Sequence, residues 1–153
     1  VDDNILIGNP NANNQALQKA MTMADFKKDL LNLTEGSNTM VAELGESLSG
    51  GQKQRLSIAR ALVRDPEILI LDDSLSAVDA LTEANIINQL REYRKDKTNI
   101  IVAHRFSAVK NADKIIVLQN GVITDVGSSK ELLKYDNWYK FQYLKQLKGD
   151  NYE

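Results

Sequence analysis

The sequence predicts an α/β protein with a partly parallel sheet, and three patterns carry that prediction. Ile68-Leu69-Ile70-Leu71 is wholly apolar and strand-sized, residues 99–103 form a second strand-like run, and a helix-length segment, residues 79–94, separates them. Strand–helix–strand alternation is the pattern of a parallel sheet. The strands of such a sheet read as near-continuous apolar runs because both faces are covered. Both runs are therefore expected to be buried on both faces. Ligands of open α/β sheets bind outside the carboxyl ends of the strands. Polar groups converge there: Asp72 and Asp73 follow the first strand and His104 follows the second.

The remaining elements follow in order. Residues 1–47 read as helical with polar connections. Asn9-Pro10-Asn11-Ala12-Asn13-Asn14 is a turn cluster able to cap a helix starting near Gln15. Ala16, Ala20 and Met23 recur at helical spacing, and Phe26, Leu30 and Leu33 begin a second stripe. Residues 39–46 are loop-like. Residues 53–64 read as a helix with Leu56, Ala59 and Val63 on one face, and Pro66 helps to end it. The helix at 79–94 is expected to face inward along Ala80, Ala84, Ile87 and Arg91. Residues 115–119 and 122–126 flank Asn120-Gly121, a strong hairpin signal. Ser128 or Ser129 can cap a short helix reaching Lys134, and residues 138–147 form a last helix rich in aromatics. Such a terminal helix most simply docks on its own domain.

Composition narrows the function classes. The length of 153 residues suits one domain. With a net charge of −2 and scattered Lys and Arg, the chain lacks the concentrated basic surface that nucleic-acid binding needs. There is no cysteine, so disulfides and thiolate metal sites are excluded, and the single histidine excludes a multi-histidine site. No apolar run approaches the roughly 18 residues of a membrane span. The start, Val1-Asp2-Asp3-Asn4, has no signal-peptide pattern and reads as an internal stretch of a longer polypeptide.

Three groups of residues can carry chemistry. Leu48-Ser49-Gly50-Gly51-Gln52 stands at a helix start. Its glycines let backbone approach a ligand closely, and the helix terminus offers free N–H groups and partial positive charge. With the Ser49 hydroxyl these make a phosphate-binding corner; taken alone, the same residues describe a serine-capped helix. Asp72 at a strand end can hold Mg²⁺ and Asp73 can orient a water; taken alone, the pair describes a capped turn with a solvent-exposed acid. His104 can donate a hydrogen bond to a transferring phosphate or lie simply at the surface.

In combination, order and spacing resemble the nucleotide-binding domain of ATP-binding cassette (ABC) transporters, over nearly the whole chain. Residues 48–52 resemble the signature motif and residues 53–62 the helix behind it. Residues 68–72 are similar to the Walker B strand, Ser76-Ala77-Val78-Asp79 to the D-loop, and His104 to the switch histidine. Asp3-Asn4-Ile5-Leu6-Ile7-Gly8 resembles the stretch after the Q-loop in exporters. Thr39-Met40-Val41-Ala42-Glu43-Leu44-Gly45 resembles the exporter X-loop, with Ala42 where glycine is usual. Residues 112–118 with Gly121 and Gly127 match the exporter hairpin.

The resemblance implies a helical, signature-bearing subdomain at 1–65 and the C-terminal half of a RecA-like ATPase core at 66–153. The implied ligands are ATP and Mg²⁺, the latter near Asp72. The implied partners are a second nucleotide-binding domain, homo- or heterodimeric and head to tail, and the exporter's transmembrane domains. These are met through Thr39, Glu43 and Gly45 at the cytoplasmic face of the cell membrane. Asp73 and His104 fall on catalytic positions, residues 48–52 on ATP held by the partner, and Ser76 and Asp79 on the D-loop.

Two departures matter. No G-x-x-x-x-G-K-[ST] phosphate loop occurs in the sequence, so this chain alone is expected not to bind ATP tightly or to hydrolyse it. Asp73 occupies the place of a catalytic glutamate and is one methylene shorter. The resemblance then implies a degenerate site in a heterodimeric exporter, with slow catalysis in a homodimer as the rival. A non-catalytic signature donor and a soluble, non-transport ABC ATPase are the other two readings.

Overall fold

A computed structural model describes residues 1–41 and 47–149. The chain forms two compact units, Val1–Val102 and Ala103–Glu153.

The first unit begins with helices α1 (Asp2–Leu6) and α2 (Asn14–Met23). The Asn13 side chain accepts a 2.9 Å hydrogen bond from the Ala16 N–H, as the turn cluster predicts. Leu17, Ala20, Met21 and Met23 are the buried face of α2. Asp25 (φ 52°) ends the helix in a left-handed conformation. The N–H groups of Asp25 and Phe26 close back on the Thr22 and Met21 carbonyls, a Schellman closure. Of the expected stripe at 26–33 only a single turn, α3 (Lys27–Leu30), is helical, and a 3₁₀ turn follows at Gly36–Asn38.

Helix α4 spans Gly50–Leu62, three residues earlier at its start than the periodicity places it. The glycines belong to the helix because Ser49 and Gln52 form a reciprocal capping box. Leu56, Ala59 and Val63 are buried as expected, joined by Ile58 and Leu62. Asp65 (φ 48°) turns the chain out of the helix before Pro66.

Strands β1 (Ile68–Asp72) and β2 (Thr98–Val102) pair in parallel, with Ile70 opposite Ile100 and Asp72 opposite Val102. Burial on both faces is not observed. Leu69 and Leu71 are each 3% exposed, whereas Ile68 and Ile70 are 61% and 62% exposed. An unbroken apolar run marks a strand but does not report which of its faces is covered.

Helix α5 (Ala80–Tyr93) is rotated from the expected face: Thr82, Glu83, Ile86, Ile87 and Leu90 are buried, while Ala80 and Arg91 are exposed. The Thr82 hydroxyl can be buried because it accepts a 2.8 Å bond from Lys28 Nζ. Arg94, 1% exposed, ties the end of α5 to the start of the strands by donating to Asn99 Oδ1 and the Pro66 carbonyl, both at 2.8 Å.

The second unit holds α6 (Phe106–Val109), β3 (Ile115–Gln119), β4 (Val122–Gly127), α7 (Ser129–Leu132) and α8 (Trp138–Gly149). Strands β3 and β4 pair antiparallel through Asn120 (φ 50°) and Gly121 (φ 78°). Two successive left-handed residues are what a two-residue hairpin loop requires. Ser128 caps α7. Ile115, Val117, Leu132 and Tyr139 form the core of this unit, with Phe106 edge-on to Tyr139 at 4.8 Å. Helix α8 thus docks on its own unit.

Candidate functional site

Leu48 is buried and anchors the chain as it enters α4, while Ser49 and Gly50 are exposed. Ser49 Oγ accepts from the Gln52 N–H at 3.3 Å, and Gln52 Oε1 accepts from the Ser49 N–H at 2.9 Å. A hydroxyl that accepts still has its own hydrogen to donate. The first turn of this 13-residue helix contains no acidic residue. An anion at its terminus would meet free N–H groups and no acidic side chain from that first turn.

The corner is braced from beneath. Asp29, 7% exposed, accepts from Arg55 Nε at 3.1 Å and from Arg55 Nη2 at 2.7 and 2.8 Å. Gln52 Nε2 donates to the same carboxylate at 3.1 Å. A buried, bidentate arginine–carboxylate pair fixes geometry as well as charge. It sets Gln52, and through the capping box Ser49, against α3. Gly51 lies where backbone comes close: a Cβ there would stand 3.0 Å from the Ala77 carbonyl oxygen and 3.4 Å from Arg55 Nη1.

The turn after β1 carries the carboxylates. Asp72 ends the strand and is exposed. Asp73 has φ 48°, a left-handed conformation in which Asp is several-fold enriched among non-glycine residues. Its N–H donates to the Val102 carbonyl at 3.2 Å, and its own carbonyl accepts from the Ser76 N–H at 3.3 Å and from Ser76 Oγ at 2.9 Å. Asp79 caps α5, accepting from the Thr82 N–H at 2.9 Å. That backbone hydrogen bond, followed by the Thr82 hydroxyl, lowers the Asp79 pKa to about 2. Asp79 is therefore ionised at neutral pH.

Gln54 was not legible as a site residue. Its side chain reaches from α4 to this turn, donating to Ser76 Oγ at 3.0 Å and accepting from the Ala77 N–H at 2.8 Å. The structure thus brings Ser49–Gln52 and the 73–79 turn together in one unit.

His104 belongs to the second unit, where it is exposed and its carbonyl accepts from Gln146 Nε2 at 2.8 Å. Thr39 is half-buried, and its carbonyl accepts a 2.6 Å bond from the Val1 amino group. Glu43 and Gly45 lie outside the described residues. Among the described residues no group of three or more His, Cys, Asp or Glu side chains is arranged to hold a metal ion. Mg²⁺ commonly binds through one or two carboxylates completed by phosphates and water. Asp72 fits that ion only in company with a nucleotide.

A capped, glycine-opened helix stands beside a carboxylate turn at the end of a parallel strand in an α/β chain. Residues 2–76 match the ABC transporter family, and the chain carries part of an ABC transporter domain. It is 56% identical over 146 residues to a probable multidrug resistance ABC transporter ATP-binding/permease protein, YheI of Bacillus subtilis, covering 95% of this chain and 25% of that protein. It is 47% identical over 146 residues to the multidrug resistance-like ATP-binding protein MdlA of Escherichia coli, again covering 95% of this chain and 25% of the relative. A solved bacterial Atm1-family ABC exporter with ATP bound superposes with a TM-score of 0.89 at 36% identity, over 95% of this chain and 26% of that one. The chain therefore spans about a quarter of the length of these relatives. Its mixed helix and strand arrangement with a small parallel sheet matches the nucleotide-binding domain fold of an ABC exporter.

Proposed function

We propose that this chain is part of the ATP-binding and ATP-hydrolysing domain of an ABC exporter and helps to power export of a substrate across a membrane. The observation that carries this reading is the Ser49–Gln52 corner, capped, without an acidic residue in the first turn of its helix, and braced by Arg55 and Asp29.

In this reading residues 1–65 carry the signature and residues 66–153 the C-terminal part of the ATPase core. The Ser49 hydroxyl and the Gly51 N–H meet the terminal phosphate of ATP held by a second nucleotide-binding domain, in a head-to-tail dimer. At the chain's own site Asp72 holds Mg²⁺ together with nucleotide phosphates and Asp73 orients the attacking water. His104 donates to the transferring phosphate, and the turn through Ser76 and Asp79 connects the two sites. Transmembrane domains are met through Thr39, Glu43 and Gly45 at the cytoplasmic face of the membrane. Among the described residues no helix is long and apolar enough to cross a membrane, so the crossing is assigned to those domains. The names of the relatives, ATP-binding/permease and multidrug resistance proteins, support the exporter class.

The test is turnover in the complete polypeptide. Ser49→Arg places a long side chain and a charge where the phosphate is to sit, and ATPase activity should fall about 100-fold. Unchanged turnover refutes the assignment.

A second reading is favoured by Asp73. Its carboxylate stands about 1 Å or more short of where a glutamate would reach, and misplacement on that scale lowers a rate roughly 100-fold. The chain would then be a degenerate partner whose main service is to present its signature. Asp73→Glu in the assembled exporter should raise ATPase activity several-fold if this holds; no change favours an Asp73 that works as it stands.

A further inference from the structure

The 73–79 turn is held to α4 in two separate ways. Leu75 and Val78 are buried, 4% and 3% exposed, and Val78 Cγ1 lies 3.8 Å from where a Cβ at Gly51 of α4 would stand. Gln54 adds a polar clasp. Its Oε1 accepts from the Ala77 N–H at 2.8 Å, its Nε2 donates to Ser76 Oγ at 3.0 Å, and the same Nε2 lies 3.5 Å from the Asp73 carbonyl oxygen. One amide thus engages three residues of one turn, two through backbone groups and Ser76 through its hydroxyl. It uses donor and acceptor at once, an arrangement that defines the turn's register on the helix and not merely its proximity. Beside it, Gly51 admits the Ala77 carbonyl at a distance that a side chain would contest.

We propose that Gln54 is a positioning residue that links the two half-sites carried by this chain. The link runs from the Ser49–Gln52 helix terminus, through one turn of α4, to the turn bearing Asp73 and Asp79. This rests on the ABC reading above and deepens it. When a phosphate draws on the N-terminus of α4, the clasp moves the Ser76–Ala77 backbone with it and so reorients Asp73 and Asp79. The reverse also follows, because energetic coupling between two sites is reciprocal. Gln54 is assigned a role through Ser76 and Ala77 and no contact with the nucleotide.

The experiment uses the complete polypeptide with whatever partner it assembles with, assayed for ATPase activity against Mg-ATP concentration. Gln54→Leu removes donor and acceptor at nearly constant volume. It should lower kcat about tenfold, the scale of one or two lost hydrogen bonds, with KM within about twofold and the melting temperature unchanged. Gln54→Glu keeps an acceptor for the Ala77 N–H and can accept from the Ser76 hydroxyl, so it should recover about a third or more of wild-type kcat. Ser49→Arg is run beside them. If Ser49→Arg abolishes turnover while Gln54→Leu keeps wild-type kcat, the clasp carries nothing and the inference fails alone. If Gln54→Leu and Gln54→Glu lose activity equally and both melt early, Gln54 is a structural residue and the inference again fails. If Ser49→Arg leaves turnover intact, the underlying reading fails and takes the inference with it.

Discussion

Removing the Asp29 carboxylate should unseat the Ser49–Gln52 corner. Arg55 and Asp29 have side chains only 8% and 9% exposed, and the guanidinium and carboxylate meet at 2.7 Å. Asp29→Ala leaves the Arg55 charge buried without its partner, and the Gln52 amide without its acceptor. Breaking a buried pair by deleting one partner costs about 3–5 kcal/mol. A domain is stable by only about 5–15 kcal/mol. With a urea slope of about 1–3 kcal/mol per molar, the midpoint should fall by at least about 1 M. Far-ultraviolet circular dichroism during urea titration reads the loss, since α4 and its neighbours dominate the helical signal of the first unit. The double change Asp29→Leu with Arg55→Met should recover most of it, because well-packed apolar groups of similar volume replace buried ion pairs at little or no cost. A single-variant loss below about 1 kcal/mol, the value of a solvated surface pair, would refute the claim that this pair is a buried brace.

Gly8→Ala should destabilise the chain by about 1–3 kcal/mol, because the added carbon would lie 2.1 Å from the Arg60 carbonyl oxygen and 2.9 Å from Val63 Cγ1; an unchanged urea midpoint would show that α1 and α4 part easily. Asp79, whose pKa falls from 3.8 to about 2 on folding, contributes stability that is complete above the unfolded value and is lost as pH drops through the folded one. Asp79→Asn keeps a capping oxygen without the charge, so its melting temperature should fall less than that of the wild type between pH 4 and pH 2. In the hairpin, Gly121 has φ 78° with nothing near the position of a Cβ; Gly121→Val should therefore destabilise through backbone strain alone, by about 1–2 kcal/mol, measured by thermal unfolding.

What could be read in advance was local. Asn120-Gly121 determines its own backbone angles, so the hairpin needed no distant partner to be recognised. Ser128, likewise, announced α7 by the cap it makes. Features that depend on distant neighbours were misplaced or unseen. The buried face of α5 turns on Thr82, acceptable in the interior only because Lys28 reaches it from 54 positions earlier. The outer faces of Ile68 and Ile70 could not be told from the inner faces of Leu69 and Leu71, since an apolar run has no phase. Asp25 closed α2 through a left-handed angle that Asp tolerates without advertising it. In the candidate site, the residue types of Ser49–Gln52 and Asp72–Asp73 pointed to phosphate chemistry through order and spacing. Gln54 did not, because Ser76 and Ala77 lie 22 and 23 positions away and only the folded chain brings them together.

In the proposed reading the Ser49–Gln52 corner is half of an ATP site, completed by a phosphate loop on another domain. The most direct measurement is calorimetric titration of this 153-residue chain with Mg-ATP. No saturable heat is expected, because the sequence supplies a signature-like corner and carboxylates but no G-x-x-x-x-G-K-[ST] loop to hold the nucleotide. Stoichiometric, saturable binding by the chain alone would contradict it.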